Sequence, residues 1–478
     1  MAVKVKREIL RETRFGRVDA EALAALKGIM GEAHVVTNPT DLEPYGQDET
    51  EDFLYVPEAV VKPSSTDQVS GILKLCFEKN IPVTPRGGGT GLSGGALPVF
   101  GGVLISFERM NRILEIDLDN LMAVVEPGVI TQTFQEEVEK VGLFYPPDPA
   151  SKGTCTLGGN VAECAGGPRA LKYGTTKDYV YGLEAVLADG SVIRPGGKLL
   201  KNVSGYSLTQ LLVGSEGTLA VITKIILKLI PLPSFRRTLV TPFNSLEEAC
   251  QSLTAIFRAR IVPCAAEFME RSAIKAAEDK LERKFPYGNY EALLLIEVDG
   301  NDEGVLDREI EKVGDVCLKG GAVDVFVADS RARQEEMWEM RRSIGEAVKG
   351  ISIYKEEDTV VPRAQLPALM REVKAISQKH GITTICYGHA GDGNIHVNIL
   401  KAGMPDEKWD RSLPIAIKEI FVEVVRLGGT ISGEHGIGWT QKSYLPLACT
   451  GVELGVMRKI KQAMDPKGIL NPGKLLPE

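Results

Sequence analysis

Val69, Ile72, Leu73 and Cys76 repeat at the i, i+3, i+4, i+7 spacing of one helical face, and Ser65-Thr66 stands before them as the capping pair. The spacing predicts a helix there. A first helix falls near 19–31, inside an otherwise polar N-terminal stretch, and Phe134, Val138 and Val141 mark a third over 131–141. Short apolar runs at 82–85, 102–107, 113–118 and 122–127 read as strands. Asp189-Gly190 divides 182–193 in the manner of a two-residue hairpin. Residues 211–230 read as two further strands around Gly214-Ser215-Glu216-Gly217, and Pro231-Leu232-Pro233 sets a boundary near 235.

Beyond it the rhythm changes. Strands near 238–241, 265–269, 292–298 and 322–328 alternate with helices near 245–259, 272–284 and 302–312, the pattern of one sheet with helices packed on it. Residues 382–389 and 395–400 read as a hairpin or a strand–loop–strand around the turn Asp392-Gly393-Asn394, with His396, Asn398 and Leu400 on one face and Val397 and Ile399 on the core face. From 406 the chain returns to helix, passes a glycine-rich loop at 428–438 and ends in a helix near 453–464. The expected organisation is an N-terminal helical segment (1–55), a first domain (56–235), a cap (236–420) and a C-terminal segment (421–478).

The 478 residues are 44% hydrophobic and 25% charged, ordinary globular values for two or three domains. A net charge of −8 argues against a general nucleic-acid binder. The eight cysteines are scattered without a C-x-x-C pair, which excludes an obvious zinc ribbon or iron–sulfur segment and fits a reducing cytoplasm. No run approaches the roughly 18 apolar residues of a membrane span, and the N-terminus is not a secretory signal, so a cytoplasmic protein is expected.

Only five histidines occur, and three sit in two glycine-rich segments, His389-Ala-Gly-Asp-Gly-Asn-Ile-His396 and Gly433-Glu434-His435-Gly436. Two imidazoles brought together by a turn, with a carboxylate from a second loop, suit a catalytic divalent metal with open positions. His389, His396 and Glu434 are the expected ligands, and zinc, iron or manganese would each suit them. Neighbouring side chains outside a helix generally diverge, so His435 is expected to face the substrate as general base. Arg86-Gly-Gly-Gly-Thr-Gly-Leu-Ser-Gly-Gly95 follows a strand and removes the Cβ atoms that would hold backbone off a phosphate, while Arg86 adds a fork-shaped cation. It is neither a Walker A loop nor a dinucleotide fingerprint.

The strings RGGGTGLSGG, PPDP, TLGGNVAECAGG, YGTTKDYV and GSEGTLAVITK, in this order, resemble the FAD-binding domain of the vanillyl-alcohol oxidase flavoprotein family. GHAGDGNIHVN, SGEHGIG and DPKGILNPGK resemble the branch that holds D-lactate dehydrogenase, D-2-hydroxyglutarate dehydrogenase and a component of glycolate oxidase. The resemblance implies an α+β protein: a two-subdomain PCMH-type FAD-binding domain, a cap of antiparallel sheet and helices, and a C-terminal segment returning to the FAD domain. It implies a pyrophosphate on Arg86, Gly87, Gly88, Gly89, Thr90, Gly91 and Ser93. Flavin contacts follow from Pro147, Thr156, Gly159, Asn160, Gly166, Gly174, Glu216, Gly217, Ile222 and Asn471. Some members link a histidine of the glycine loop to the flavin. Thr90 stands there instead and no histidine lies between His34 and His380, so a dissociable FAD is expected.

The reaction implied is oxidation of a small D-2-hydroxy acid to the 2-oxo acid, D-lactate or glycolate before D-2-hydroxyglutarate. Arg341, of the W-x-x-R segment, would grip the substrate carboxylate beside Asn398 and His435, with Arg342 as fallback. Lys355 has an uncertain register, and the acidic insert Glu356-Glu357-Asp358 departs from the family pattern. Electrons would leave to an external acceptor, electron-transferring flavoprotein or an iron–sulfur subunit. A metal-dependent hydrolase or a non-catalytic electron-relay subunit are the competing readings.

Overall fold

The computed structural model describes residues 7–285 and 287–477. The chain divides into two compact units, each discontinuous in sequence. One gathers residues 7–165, Thr175–Leu232 and 434–477; the other gathers Gly166–Gly174 and, among the described residues, Pro233–Gly433.

In the first unit, helix Thr66–Glu78 starts on Ser65, whose hydroxyl accepts from the Gln68 N–H, and buries Val69, Ile72, Leu73 and Cys76 as their spacing requires. They form a core with Ala22, Leu26 and Met30 of helix Ala20–Met30 and with Val61, Val83, Val103 and Ile105. Those strand residues belong to a four-stranded sheet ordered Val35–Val36, Ala59–Val61, Val103–Ser106, Val83–Arg86, whose last three strands are parallel. Ligands in such sheets bind beyond the carboxyl ends of the strands. Arg86 occupies that end, and the glycine loop starts from it.

A second, antiparallel sheet is ordered Ile113–Asp117, Met122–Val125, Val221–Lys228, Val180–Val186, Val192–Ile193. Along Val221–Lys228 buried and half-buried residues alternate, the period of a strand covered on one face. Three local expectations change. Helix Thr131–Glu139 ends before Val141, which is 45% exposed, because the chain turns at Gly142 with φ +76°. Leu208–Leu212 is a helix capped by Ser207 rather than a strand. The Asp189-Gly190 hairpin closes with a Leu187 carbonyl accepting from Gly190 and a Leu187 N–H to Ser191 carbonyl bond, so three residues lie in its loop, not two.

The second unit is built on a seven-stranded antiparallel sheet. Its order is Phe326–Val327, Phe235–Phe243, Ala292–Gly300, Ala265–Glu270, Thr383–Gly388, Asn394–Leu400, Tyr354–Val360. Ala292–Gly300 is buried at every residue except Gly300, which requires cover on both faces. Helices Arg271–Leu281 and Arg331–Lys349 pack on one another, and Leu246–Arg258 packs with Glu303–Lys319 and Leu366–His380. The acidic stretch expected as an insert is the edge strand Tyr354–Val360. Gly166–Gly174 joins this unit through Lys172 Nζ and Tyr173 OH, which both donate to the Asp299 carboxylate, the latter at 2.7 Å. No helix among the described residues is long and apolar enough to cross a membrane.

Candidate functional site

The glycine loop of the first unit lies against the start of helix Leu157–Glu163. Thr156 caps that helix, its hydroxyl accepting from the Gly159 N–H, and a Cβ on Gly87 would stand 2.4 Å from the same hydroxyl oxygen. A Cβ on Gly88 would stand 2.5 Å from the Thr154 carbonyl oxygen. The capping hydroxyl at one glycine and the backbone carbonyl at the other come so close that only glycine fits. A cavity of about 780 Å³ is lined by Arg86, Gly87, Gly88, Thr154 and Thr156, within the range of cofactor sites. Arg86 donates from Nη1 to the Gln47 carbonyl at 2.6 Å, and burial draws its guanidinium below the usual value. An aligned cation, bare backbone and a volume of this size fit the pyrophosphate of FAD.

Further along the loop, the Ser93 carbonyl accepts from the Trp439 and Thr440 N–H groups at 2.8 and 3.0 Å, and the Gly91 carbonyl accepts from Glu49 N–H. Glu216 holds φ at +51° and accepts from Ile437 N–H and Gly438 N–H, both at 2.7 Å. The Asn471 amide donates to the Gly95 and Glu216 carbonyls at 2.9 and 2.8 Å. Four segments distant in sequence are thereby tied into one cradle by Ser93, Glu216 and Asn471. Asn160 donates to Thr131 Oγ1, the Pro147 carbonyl accepts from Gln135, and Gly217 packs on Pro85. Ile222 sits in the central strand of the antiparallel sheet. Gly166 and Gly174 lie in the segment that packs with the second unit.

Two members of this cradle were not singled out in the sequence. Lys474, the last residue of DPKGILNPGK, is buried and donates to the Leu97 carbonyl at 2.6 Å; burial lowers its pKa to about 7. Glu163 ends TLGGNVAE, and burial first, then the charges of Glu216 and Asp48, push its carboxyl well above the usual range. Both stood within motifs that carried the resemblance, so position in a motif was the available signal.

In the second unit the turn between Thr383–Gly388 and Asn394–Leu400 brings His389 and His396 together, ring centroids 5.5 Å apart and planes at 86°. Gly393 makes the turn possible: its φ is +94°, and a Cβ would stand 2.0 Å from the Val361 carbonyl oxygen. His389 Nδ1 lies 2.9 Å from both oxygens of Glu267, which is fully buried and also pairs with Arg341 Nη2 at 2.6 Å. Burial alone would raise the Glu267 carboxyl, but His389 and Arg341 hold it below its usual value. His396 Nδ1 faces Glu356 and Asp358 at 3.6 and 3.8 Å. Asn398 is fully buried, and neither atom of its amide has a hydrogen-bond partner among the described residues. All of Asn394–Leu400 is buried, so the hairpin is covered on both faces rather than one.

Three departures follow. Arg341 is not free to act as an isolated cation, because Glu267 neutralises it, although its buried Nε retains no partner among the described residues. Glu267 was missed, although an acid inside the apolar run Ala265-Ala266-Glu267-Phe268-Met269 is an available signal. Glu434 and His435 do not diverge: His435 Nε2 lies 3.7 Å from Glu434 Oε1, in a loop that turns at Gly436 with φ +76°.

The class of protein is a flavoprotein oxidoreductase, as two family models show. Residues 57–196 match the model of an FAD binding domain, and residues 232–475 match that of the C-terminal domain of FAD linked oxidases. The chain belongs to the family of FAD-linked oxidases. It is 43% identical to the glycolate oxidase subunit GlcD of Bacillus subtilis (strain 168), over 90% of this chain and 91% of that one. It is 36% identical to a D-lactate dehydrogenase of Anaerostipes hadrus, over 98% and 99%. Among solved structures, p-cresol methylhydroxylase with substrate bound superposes with a TM-score of 0.79 at 18% identity, covering 95% of this chain and 96% of that one, a likeness of fold.

Proposed function

We propose that this chain oxidises a small D-2-hydroxy acid, D-lactate or glycolate, to the 2-oxo acid with FAD and one divalent metal ion. The observation that carries the reading is the hairpin: two imidazoles, one backed by the buried Glu267, beside a buried Asn398 amide that no described protein group satisfies. Metal-ligating histidines commonly turn Nδ1 toward a carboxylate and offer Nε2 to the ion. Buried polar atoms left without partners point to a ligand. Sequence relatives named as D-lactate dehydrogenases and as a glycolate oxidase component support the same substrates.

His389, His396 and Glu434 would hold the ion, which when bound supplies a Lewis acid for the substrate hydroxyl. FAD, held without a covalent bond by the cradle from Arg86 to Ser93 and by Thr156, supplies a two-electron acceptor when bound. Asn398 orients the substrate, and Arg341 Nε adds a donor for its carboxylate. His435 takes the hydroxyl proton on its imidazole. The cysteines have no C-x-x-C spacing for an iron–sulfur segment, so electrons would pass to an external acceptor, electron-transferring flavoprotein or an iron–sulfur subunit. Glu356 and Asp358 beside His396 disfavour a substrate with a second carboxylate, which ranks D-2-hydroxyglutarate behind the smaller acids.

Anaerobic mixing of the FAD- and metal-loaded chain with D-lactate, glycolate or D-2-hydroxyglutarate tests this. D-lactate or glycolate should bleach the flavin, and His435→Ala should keep FAD and metal yet bleach at least about a hundredfold more slowly. Failure of all three acids, or bleaching by His435→Ala at the native rate, would refute the proposal.

A further inference from the structure

We infer that Asp358 is a positioning residue for the metal: it pins the start of the loop carrying Glu434 to the hairpin carrying His389 and His396. The inference rests on the metal reading above. Asp358 lies on the edge strand Tyr354–Val360, opposite His396 in the antiparallel register, with Val360 opposite Asn394. Its carboxylate is 4% exposed and spans two segments of chain. Oδ1 accepts from the Asn394 amide at 2.6 Å, on the hairpin. Oδ2 accepts from the Ser432 hydroxyl at 3.0 Å and from the Gly433 N–H at 2.7 Å, on the loop. Two residues on, Val360 exchanges backbone hydrogen bonds with Thr430, N–H to carbonyl at 3.2 Å and the reverse at 2.9 Å. Gly433 directly precedes Glu434 in the chain.

Chemistry makes the carboxylate specific. These three groups are donors, and an ionised carboxylate is acceptor-only. An asparagine would keep one acceptor oxygen and turn an NH₂ toward donors, so at least one contact must break. An apolar side chain would lose all three. A buried carboxylate is not a cheap way to stabilise a sheet edge, since desolvating it offsets much of what its contacts contribute. What it does supply is directional: one group that fixes the hairpin turn and the loop backbone in a single arrangement. Its Oδ1 also stands 3.8 Å from His396 Nδ1, beyond hydrogen-bond range but on the same edge as Glu356. His389 holds its Nδ1 against the Glu267 carboxylate at 2.9 Å, which leaves Nε2 as its ligand atom.

The test uses the FAD-loaded full chain, stripped of metal with a chelator and titrated with Co²⁺ while its visible absorption, FAD content and melting temperature are followed. Asp358→Asn should bind Co²⁺ roughly 10–100-fold more weakly, the range typical when a carboxylate supporting a ligand is lost, with an altered ligand-field band and unchanged FAD content. Saturating Co²⁺ should restore flavin reduction by D-lactate to within about threefold of the native rate, since the inference places no reacting group at Asp358. Ser432→Ala, which removes one donor of the three, should shift affinity in the same direction by a smaller factor. It carries the test if Asp358→Asn does not fold. Native Co²⁺ affinity in both variants overturns the inference while leaving the metal reading intact. A native chain that binds no Co²⁺ overturns the metal reading itself, and with it this inference.

Discussion

Glu267 joins two charged groups at the hairpin, since one fully buried carboxylate meets both Arg341 and His389. Taking away one partner of a buried pair strands the other, at roughly 3–5 kcal/mol. Glu267→Gln should therefore lower the unfolding free energy by about that much and weaken metal binding by roughly 10–100-fold. In an Arg341→Met background the same change should lower stability less, because no guanidinium is left stranded. Denaturant melts of the four proteins check it, and equal losses in both backgrounds would dismiss the coupling. The histidines were legible because scarcity and glycine-rich context mark them from a single stretch of chain. Glu267 was not, because its partner His389 lies 122 residues away and no local period links them. The proximity of Glu434 to His435 was equally hidden, since it depends on how one loop turns.

At the scale of elements, legibility followed the length and regularity of the pattern. Helix Thr66–Glu78 declares its cap and four buried positions in sequence, and its structure repeats them. The run Leu208–Leu212 is too short for periodicity to separate helix from strand, and Ser207 decides it as a cap. Residues 355–358 read as an acidic insert because they depart from the family pattern, yet backbone pairing at a sheet edge makes Tyr354–Val360 a strand. Contacts among elements are less visible still. Glu184, on strand Val180–Val186, accepts from Thr66 at the start of a helix and from Arg194 across a hairpin, and pairs with Lys224 on the neighbouring strand. Burial would raise its carboxyl, but the bonds from Lys224, Thr66 and Arg194 outweigh it and hold the pKa at about 2, against 4.5 ordinarily. A depressed carboxyl contributes stability that is complete above the unfolded value and lost as pH falls toward the folded one. Glu184→Gln should accordingly melt below the native chain at neutral pH, and the gap should close between about pH 4.5 and about 2. Melting temperatures of metal- and FAD-free protein across that window measure it. A gap independent of pH would show that the charge is not what stabilises.

For the whole molecule, the chain passes between its two units more than once, and the short passage Gly166–Gly174 is the informative one. Sequence texture makes it part of a long glycine-rich run, and its resemblance to a flavin-binding motif puts Gly166 and Gly174 at the cofactor. The structure anchors it on the second unit's sheet, through Asp299, 126 and 127 residues downstream of Tyr173 and Lys172. Pairings at that separation leave no local trace, which is why the motif was readable and its anchor was not. Asp299 is nearly buried and Lys172 about one-third exposed, so breaking the tether strands the acid side more than the amine. Hydrogen bonds to charged groups contribute roughly 1.5–3 kcal/mol each, and about 1.4 kcal/mol is a tenfold change in an equilibrium constant. Asp299→Asn should keep a neutral acceptor for one donor and lose the charge-assisted bond to the other. If Gly166 and Gly174 contact the flavin, the loosened segment should weaken FAD binding by about tenfold or more. Co²⁺ affinity, which the proposed metal reading assigns to His389, His396 and Glu434, should stay within about twofold. Fluorescence titration of the stripped protein with FAD, alongside Co²⁺ titration, separates the two. Unchanged FAD affinity would mean that the anchored segment serves the second unit alone, and the flavin contacts assigned to its two glycines would fall.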